Sequence, residues 1–194
     1  MTIGVLHPGE MGAALGARLR ERSHDVLWAG EGRSATTEAI RAVIEDEGGR
    51  FVDGGIVGPP PERAGTTRLF LSGAEADTVA AACADSAVEA VVLGPEPGRA
   101  SALKMAYAAW TKGTAAMLLA IRATARAEGV EDALLEEWAR SQPDATGRSE
   151  AAEDAAGRKG WRWIAEMEEI AATFAAAGQP DGFHRAAADV FRSR

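Results

Sequence analysis

The sequence predicts an α/β N-terminal region followed by an all-α C-terminal region, and three observations indicate this fold class. Short apolar runs alternate with helix-like segments up to about residue 98, which is typical of a layer with a mostly parallel sheet. From about residue 100 onward, helix-like segments follow one another without strand signals. The chain also opens with a strand-like run, a glycine turn and a helix-like run, in that order. We therefore expect two domains, residues 1–98 and residues 99–194.

The N-terminal domain is predicted to contain five strands, each in a short apolar run. These strands lie at Thr2–Leu6, Val26–Ala29, Arg50–Val52, Arg68–Leu71 and Ala90–Leu93. The predicted helices between them are Gly12–Arg22, Thr36–Glu47 and Glu75–Ala84. The glycines and prolines between Gly54 and Pro61 indicate an irregular loop rather than the interior of a strand.

The C-terminal domain is predicted to begin with one long helix, Ala100–Glu128. Small apolar residues recur all around it and charge is sparse between Lys104 and Arg122, so most of its faces should be buried. Because so small a chain has little with which to cover it, we expect a homodimer through this helix. Further helices are predicted at Glu131–Ser141, Thr146–Arg158, Trp161–Ala177 and Gly182–Arg192, separated by glycines and prolines.

Composition and charge exclude several classes of function. The chain has 21 basic and 29 acidic side chains, a net charge of -8, which argues against a nucleic-acid-binding protein. The single cysteine, Cys83, cannot form an internal disulfide and fits a reducing compartment, so we expect a cytoplasmic protein. The three histidines are scattered, so no metal site is predicted. We expect no signal peptide, because the chain begins directly with a predicted strand. We expect no membrane span, because the longest weakly charged run, Gly113–Ile121, is too short.

The turn after the first predicted strand has the features of an anion site. The free N–H groups of a first helical turn and the helix dipole both face such a turn. Gly9 would let the backbone approach a pyrophosphate, and Gly12 would let the helix pack close to the strand. His7 occupies the first glycine position of the G-x-G-x-x-G pattern, so a plain turn without a ligand stays an alternative. The candidate cofactor-binding residues here are His7, Pro8, Gly9, Glu10, Met11 and Gly12.

The segment after the second predicted strand bears on the choice of cofactor. In a dinucleotide fold this segment meets the adenine ribose, where an acidic residue selects NAD and an arginine accommodates the 2′-phosphate of NADP. Glu31 and Arg33 compete here, and Ser34 can donate a hydrogen bond. We favour NADP, with NAD as the second choice; a solvated polar loop is the alternative without a ligand.

Lys104, near the start of the long helix, is the candidate general acid or base. A partly desolvated lysine can transfer protons near neutral pH, whereas a snorkelling lysine at a helix end would have no catalytic role. The candidate substrate-binding residues are Asp53, Gly54, Gly55, Tyr107, Lys112 and His184. Lys112 shares a helix face with Lys104, and Tyr107 lies beside them. Turn formation alone would explain the two glycines, and a structural role would explain a lone histidine such as His184.

Together these segments resemble the β-hydroxyacid dehydrogenase and 6-phosphogluconate dehydrogenase superfamily. IGVLHPGEMG looks like its cofactor fingerprint and DGGIVGPPPERAGTTRLFLSG like its substrate loop and the following strand. ALKMAYAAWTKG looks like the segment of its catalytic lysine, and MEEIAATFAAAGQPDGFHRAAADVF like its closing helices. The likeness is closest to NADP-type members with a distinctive helical C-terminal domain. It implies an NAD(P)-dependent oxidoreductase for a small-molecule substrate, with Lys104 as general acid or base during hydride transfer.

The sequence also departs from this superfamily. Val57 stands where the family has a loop serine, Ala108 stands where it has an asparagine, and a second lysine near Ala165 is not matched. The family's Rossmann-like domain has two βαβαβ halves, but around Ala35–Thr36 there is no room for about three of those strands. We therefore expect a truncated Rossmann-like domain followed by an all-helical domain. The alternative function is a catalytically impaired remnant that acts as a nucleotide-binding or structural helical dimer.

Overall fold

The computed structural model describes residues 2–6, 9–29 and 37–194. It divides the chain into two compact units, Met1–Lys104 and Met105–Arg194. The described part of the first unit combines strands and helices, and the second unit is helical. The predicted fold class, a short α/β region followed by a helical region, is confirmed.

The strands of the first unit form two separate sheets within the described residues. The strands are β1 (Thr2–Leu6), β2 (Asp25–Ala29), β3 (Asp53–Val57), β4 (Thr67–Ser72) and β5 (Val88–Val92). The helices between them are α1 (Gly9–Glu21), α2 (Thr37–Asp46) and α3 (Ala76–Ala82). Strands β1 and β2 pair in parallel; β4 is the centre of the other sheet, antiparallel to β3 and parallel to β5.

The core of the first unit lies on one face of the three-stranded sheet. Leu69 and Leu71, two residues apart on β4, are both buried, because alternate side chains of a strand point to the same face. They form one apolar cluster with Val88 of β5 and Leu19 of α1. Helix α1 therefore covers this sheet as well as following β1 in the chain.

The small sheet of β1 and β2 packs against the core with one face, and its other face carries exposed residues among those that the structure describes. Ile3 and Val26 pack against the core of the unit, whereas Gly4 is exposed and Leu27 keeps 63% of its surface exposed. Strands of a doubly wound parallel sheet are normally buried on both faces. The open face agrees with the shortened domain that the sequence predicts.

The predictions for the third strand and the loop after it are wrong. Strand β3 begins at Asp53, after the predicted Arg50–Val52, and contains the glycine pair that was expected in a loop. The physical reason lies at Gly55, where an added Cβ atom would be 2.7 Å from the carbonyl oxygen of Ala100. Glycine inside a strand often marks the close approach of another backbone. That approach is a tertiary contact, which local composition does not reveal.

The helical region contains four helices. They are α4 (Arg99–Ala127), α5 (Glu131–Ser141), α6 (Ala145–Ala176) and α7 (Gly182–Arg192). Met167 and Ile170 of α6 and Phe191 of α7 form the centre of the core together with Leu119 of α4. The predicted break between Arg158 and Trp161 is wrong, because α6 is continuous there. Gly160 is buried, and a Cβ added there would meet Phe191 at 4.0 Å, which is ordinary van der Waals contact. A single glycine inside a helix is tolerated at a modest cost, so it does not interrupt α6.

Helix α4 buries one face and leaves an apolar stripe exposed on another. The stripe consists of Tyr107, Trp110, Met117 and Ile121, with 50%, 63%, 54% and 38% of their surfaces exposed. Successive members are three, seven and four residues apart, the spacing of a helix–helix seam. Ala116 and Leu119 of α4 lie in the core. Burial of the exposed stripe against a second subunit stays a prediction.

Candidate functional site

The candidate cofactor site includes the first helical turn of α1, which starts at Gly9. The N–H groups from Gly9 to Gly12 have no acceptor within the helix, and the helix dipole adds positive charge there. Gly12 is buried. The Met11 side chain lines a small gap in the core with Leu15 and Ile56. This turn can therefore offer backbone donors to a phosphate, while Met11 packs inward.

The other predicted cofactor contacts lie outside the described residues. They are His7 and Pro8, which precede α1 in the sequence, and Arg33 and Ser34, which follow β2. The choice between NADP and NAD depends on Arg33 and its neighbour Glu31, so it stays a prediction.

Asp53 is buried and makes its hydrogen bonds inside the protein. It lies opposite Ser72 in the ladder between β3 and β4, and its Oδ2 accepts a hydrogen bond from the Ser72 hydroxyl at 3.0 Å. The same oxygen accepts one from the Ser101 backbone N–H at 2.9 Å, and Oδ1 accepts one from the Ser101 hydroxyl. The Ser72 hydroxyl in turn accepts a hydrogen bond from the Ala100 N–H at 3.1 Å. Both carboxylate oxygens thus have hydrogen-bond partners within the protein.

These contacts cap the N-terminus of α4 from neighbouring strands. The first N–H groups of a helix need acceptors from outside it, and the residue before α4, Gly98, has no side chain to provide one. A negative charge at this helix end is also favoured by the dipole. Sequence reasoning missed Ser72 and Ser101; the available signal was a long helix whose own cap position is a glycine.

Lys104 lies one turn after Ala100 and directly against Gly55. A Cβ added at Gly55 would be 3.2 Å from the Lys104 Cβ, so the base of the lysine side chain passes over the glycine. Lys104 is exposed, which contradicts its predicted partial desolvation, because only the base of its side chain is close to β3. Gly54 faces the other side of the sheet, beside Leu69. The structure therefore brings Gly55 and Lys104 together but leaves Gly54 apart.

The three remaining candidates lie in the second unit. Tyr107 belongs to the exposed stripe of α4. Lys112 forms an ion pair with Glu166 of α6, and these two side chains are 22% and 24% exposed. His184 is buried edge-on to the Phe174 ring, with centroids 4.3 Å apart. Burial lowers the pKa of His184, and its Nδ1 has no hydrogen-bond partner in the part of the chain that the structure describes. These surroundings suit a neutral histidine that packs in the core.

Neither a metal site nor a membrane-spanning helix is present among the described residues. No group of three or more His, Cys, Asp or Glu side chains there is arranged to hold a metal ion. None of the helices in the same part of the chain combines the length and the apolar character needed to cross a membrane.

Comparisons with known proteins identify the fold. Residues 125–193 match a family model described as a domain of unknown function, DUF1932. The conserved protein MTH1747 is itself of unknown function, and its structure is described as similar to 3-hydroxyacid dehydrogenases. It superposes with a TM-score of 0.70 at 21% identity, over 100% of this chain and 96% of that one. The fold is that of the 3-hydroxyacid dehydrogenase-like proteins.

Another solved structure superposes on this chain equally well. A conserved hypothetical protein from Sinorhizobium meliloti 1021 has a TM-score of 0.70 and 21% identity, over 98% of this chain and 79% of that one. A Streptomyces aurantiacus imine reductase aligns with 100% of this chain and 94% of its own, at 19% identity, but its TM-score of 0.46 is too low to establish a common fold. The sequence matches none of the curated proteins. The predicted superfamily is thus confirmed at the level of the fold, and a fold alone does not assign a substrate.

Proposed function

We propose that this protein is an NADP-dependent oxidoreductase of the hydroxyacid dehydrogenase-like type, acting on a small-molecule substrate. The observation that carries the proposal is Lys104, exposed and set against Gly55 at the head of α4 in a 3-hydroxyacid dehydrogenase-like fold. An ammonium group in this position can donate a proton to a carbonyl oxygen or an imine nitrogen during reduction. In the reverse direction the neutral amine accepts that proton.

The first turn of α1 fits the pyrophosphate of the dinucleotide. Its backbone N–H groups from Gly9 to Gly12 are the donors that such a group requires, and the buried Gly12 keeps the helix close to the sheet. Arg33 and Ser34 are the proposed contacts of the 2′-phosphate, which makes NADP the preferred cofactor and NAD the second choice. When bound, the nicotinamide supplies or accepts the hydride.

The two predicted domains would have different roles in the proposed reaction. Residues 1–98 would bind the nucleotide, while residues 99–194 would supply Lys104 and the dimer contacts. Three substrate-binding candidates follow Lys104 in the chain. Tyr107 is the most accessible of them, since Lys112 is in an ion pair and His184 is buried. We place the protein in the reducing cytoplasm because its one cysteine, Cys83, is a buried free thiol.

We also propose a homodimer in which the α4 stripes of two copies cover each other. Two of its four members are aromatic, and each large aromatic side chain can bury about 150–250 Å². An exposed apolar patch larger than a few hundred Å² usually marks an interaction surface. A helical stripe of this spacing is suited to pairing with a copy of itself.

The oxidoreductase proposal is tested by incubating the pure protein with NADPH and a panel of small keto acids, aldehydes and imines. We expect NADPH oxidation with at least one of them. Lys104→Met should lower kcat/KM by about 10²- to 10⁴-fold while leaving NADPH binding unchanged in calorimetry. Lys159→Met, at an exposed position of α6, is the matched control. No NADPH oxidation across the panel, with an intact dimer, would count against the proposal.

A specific observation also favours a second candidate, a nucleotide-binding or purely structural helical dimer. The open face around Leu27 and the separation of the two sheets leave less support for a nicotinamide ring than a complete domain would give. Val57 and Ala108 in place of the family's polar residues point the same way. Calorimetric titration separates the cases: micromolar binding of NADP without turnover indicates a binding module, and no binding indicates a structural role.

A further inference from the structure

We propose that Asp53 is a positioning residue for Lys104. The inference rests on the proposed function, because it concerns the lysine that would transfer the proton. Asp53 was predicted to bind substrate, yet both of its carboxylate oxygens are engaged by Ser72 and Ser101. Its role is to fix the first turn of α4 against β3 and so to fix where Lys104 stands.

The carboxylate holds α4 at two successive backbone positions. It accepts the Ser101 N–H directly at 2.9 Å, and through the Ser72 hydroxyl it reaches the Ala100 N–H at 3.1 Å. A helix shifted by one residue moves by about 1.5 Å and turns by about 100°. Such a shift would break both contacts, so the register of the first turn is fixed.

The contact at Gly55 links the register of the first turn of α4 to the position of Lys104. The Ala100 carbonyl oxygen and the Lys104 Cβ are the atoms that an added Cβ at Gly55 would meet, at 2.7 and 3.2 Å. Residues four apart lie on the same face of a helix, so Ala100 and Lys104 move together. Release of Asp53 would therefore displace Lys104 from its place over Gly55.

The set of partners indicates why this position holds a carboxylate. Three donors converge on Asp53, namely the hydroxyl of Ser72 and the hydroxyl and backbone N–H of Ser101. An ionised carboxylate only accepts hydrogen bonds, whereas an asparagine would bring an NH₂ donor into the same cluster. Asp53→Asn keeps the shape but forces a hydroxyl to reorient and removes the charge beside the helix end. Asp53→Ala removes all three contacts.

The chain is well suited to a direct test, because its three lysines are Lys104, Lys112 and Lys159. Reductive methylation with ¹³C-formaldehyde labels each of them, and the signal missing from Lys104→Arg assigns the one of interest. We expect the Lys104 methyl signal to move in Asp53→Ala and, by a smaller amount, in Asp53→Asn. The signals of Lys112 and Lys159 should stay in place. Glu89→Ala, at an exposed position of β5, is the control and should move none of them.

A cap with no positioning role would lower stability without moving the Lys104 signal. The proposal is therefore overturned if the Lys104 methyl signal has the same chemical shift in folded Asp53→Ala as in the wild type. Should that variant fail to fold, Asp53→Asn and Ser101→Ala decide the matter in the same way.

Turnover provides a second and separable readout. If the wild type oxidises NADPH, Asp53→Asn should lower kcat by about 10- to 100-fold with little change in KM for NADPH. An unchanged kcat would overturn the positioning role. If the wild type shows no turnover, the proposed oxidoreductase function fails, while the methyl signals still decide whether Asp53 positions Lys104.

Discussion

Replacement of Gly55 by alanine tests how closely α4 lies against β3. The new Cβ would be 2.7 Å from the Ala100 carbonyl oxygen and 3.3 Å from its carbonyl carbon. Both are backbone atoms, so no side chain can rotate away and the helix itself must move. Overpacking of this kind costs about 1–3 kcal/mol, against which the lower entropy of the unfolded alanine chain returns about 0.4–1 kcal/mol.

The same movement would stretch the hydrogen bond from the Ser101 N–H to Asp53, now 2.9 Å long, at a further cost of about 1 kcal/mol. We therefore expect Gly55→Ala to lose about 2 kcal/mol of unfolding free energy, or about 4–8 °C in Tm for a chain of this size. Denaturation in urea, at one protein concentration, measures the difference.

The neighbouring glycine gives a matched control. A Cβ at Gly54 would meet the Leu69 and Leu71 side chains at 3.7 and 3.8 Å, which is ordinary van der Waals contact. Neither glycine has a positive φ, so alanine suits the backbone at both positions. Gly54→Ala should change stability by less than about 0.5 kcal/mol or raise it slightly. Equal stability of the two variants would refute the close approach of α4.

Two further predictions concern the second unit. Because burial lowers the pKa of His184, the unfolded chain binds that proton first, so stability is complete above about pH 6.5 and falls as the pH decreases. His184→Leu should flatten the dependence of the urea midpoint on pH between about 7.5 and 5.5, and an unchanged slope would contradict this. Met117→Glu would bury a charge in the dimer interface proposed at the α4 stripe, so sedimentation at micromolar concentration should show a monomer. The control Ala123→Glu, at an exposed position elsewhere on α4, should remain dimeric. A monomeric wild-type protein would contradict the proposed homodimer through the α4 stripe.

The sequence predicted the bounds of those elements whose conformation depends on residues close together in the chain. Strand β1, the long helix α4 and the closing helix α7 were all predicted within a residue of their observed bounds. Each depends on an uninterrupted apolar pattern or on flanking glycine and proline residues, which are properties of a short window.

Predictions were less successful where distant parts of the chain meet. Gly55 predicted a loop, because its contact with the backbone of α4 comes from a distant part of the chain. Gly160 predicted a helix break, but a single glycine is tolerated inside a helix, and α6 is continuous there. In the same way the hydrogen bonds of Asp53 could not be predicted, because its partner Ser101 lies 48 residues further along the chain. The contact between Gly55 and Lys104 also joins distant parts of the chain, and the sequence did not predict it.

The N-terminal cap of α4 is supplied by side chains of β3 and β4, and this has a consequence for the order of folding. Gly98, with a φ of 93°, offers the helix no cap of its own, and Asp53 and Ser72 become neighbours only when β3 pairs with β4. Loop closure over such a separation is slower than growth of a helix turn. We therefore expect the middle of α4 to form early and its first turn to fray until the hairpin is complete. In a kinetic analysis, Asp53→Ala would then speed unfolding while hardly slowing folding.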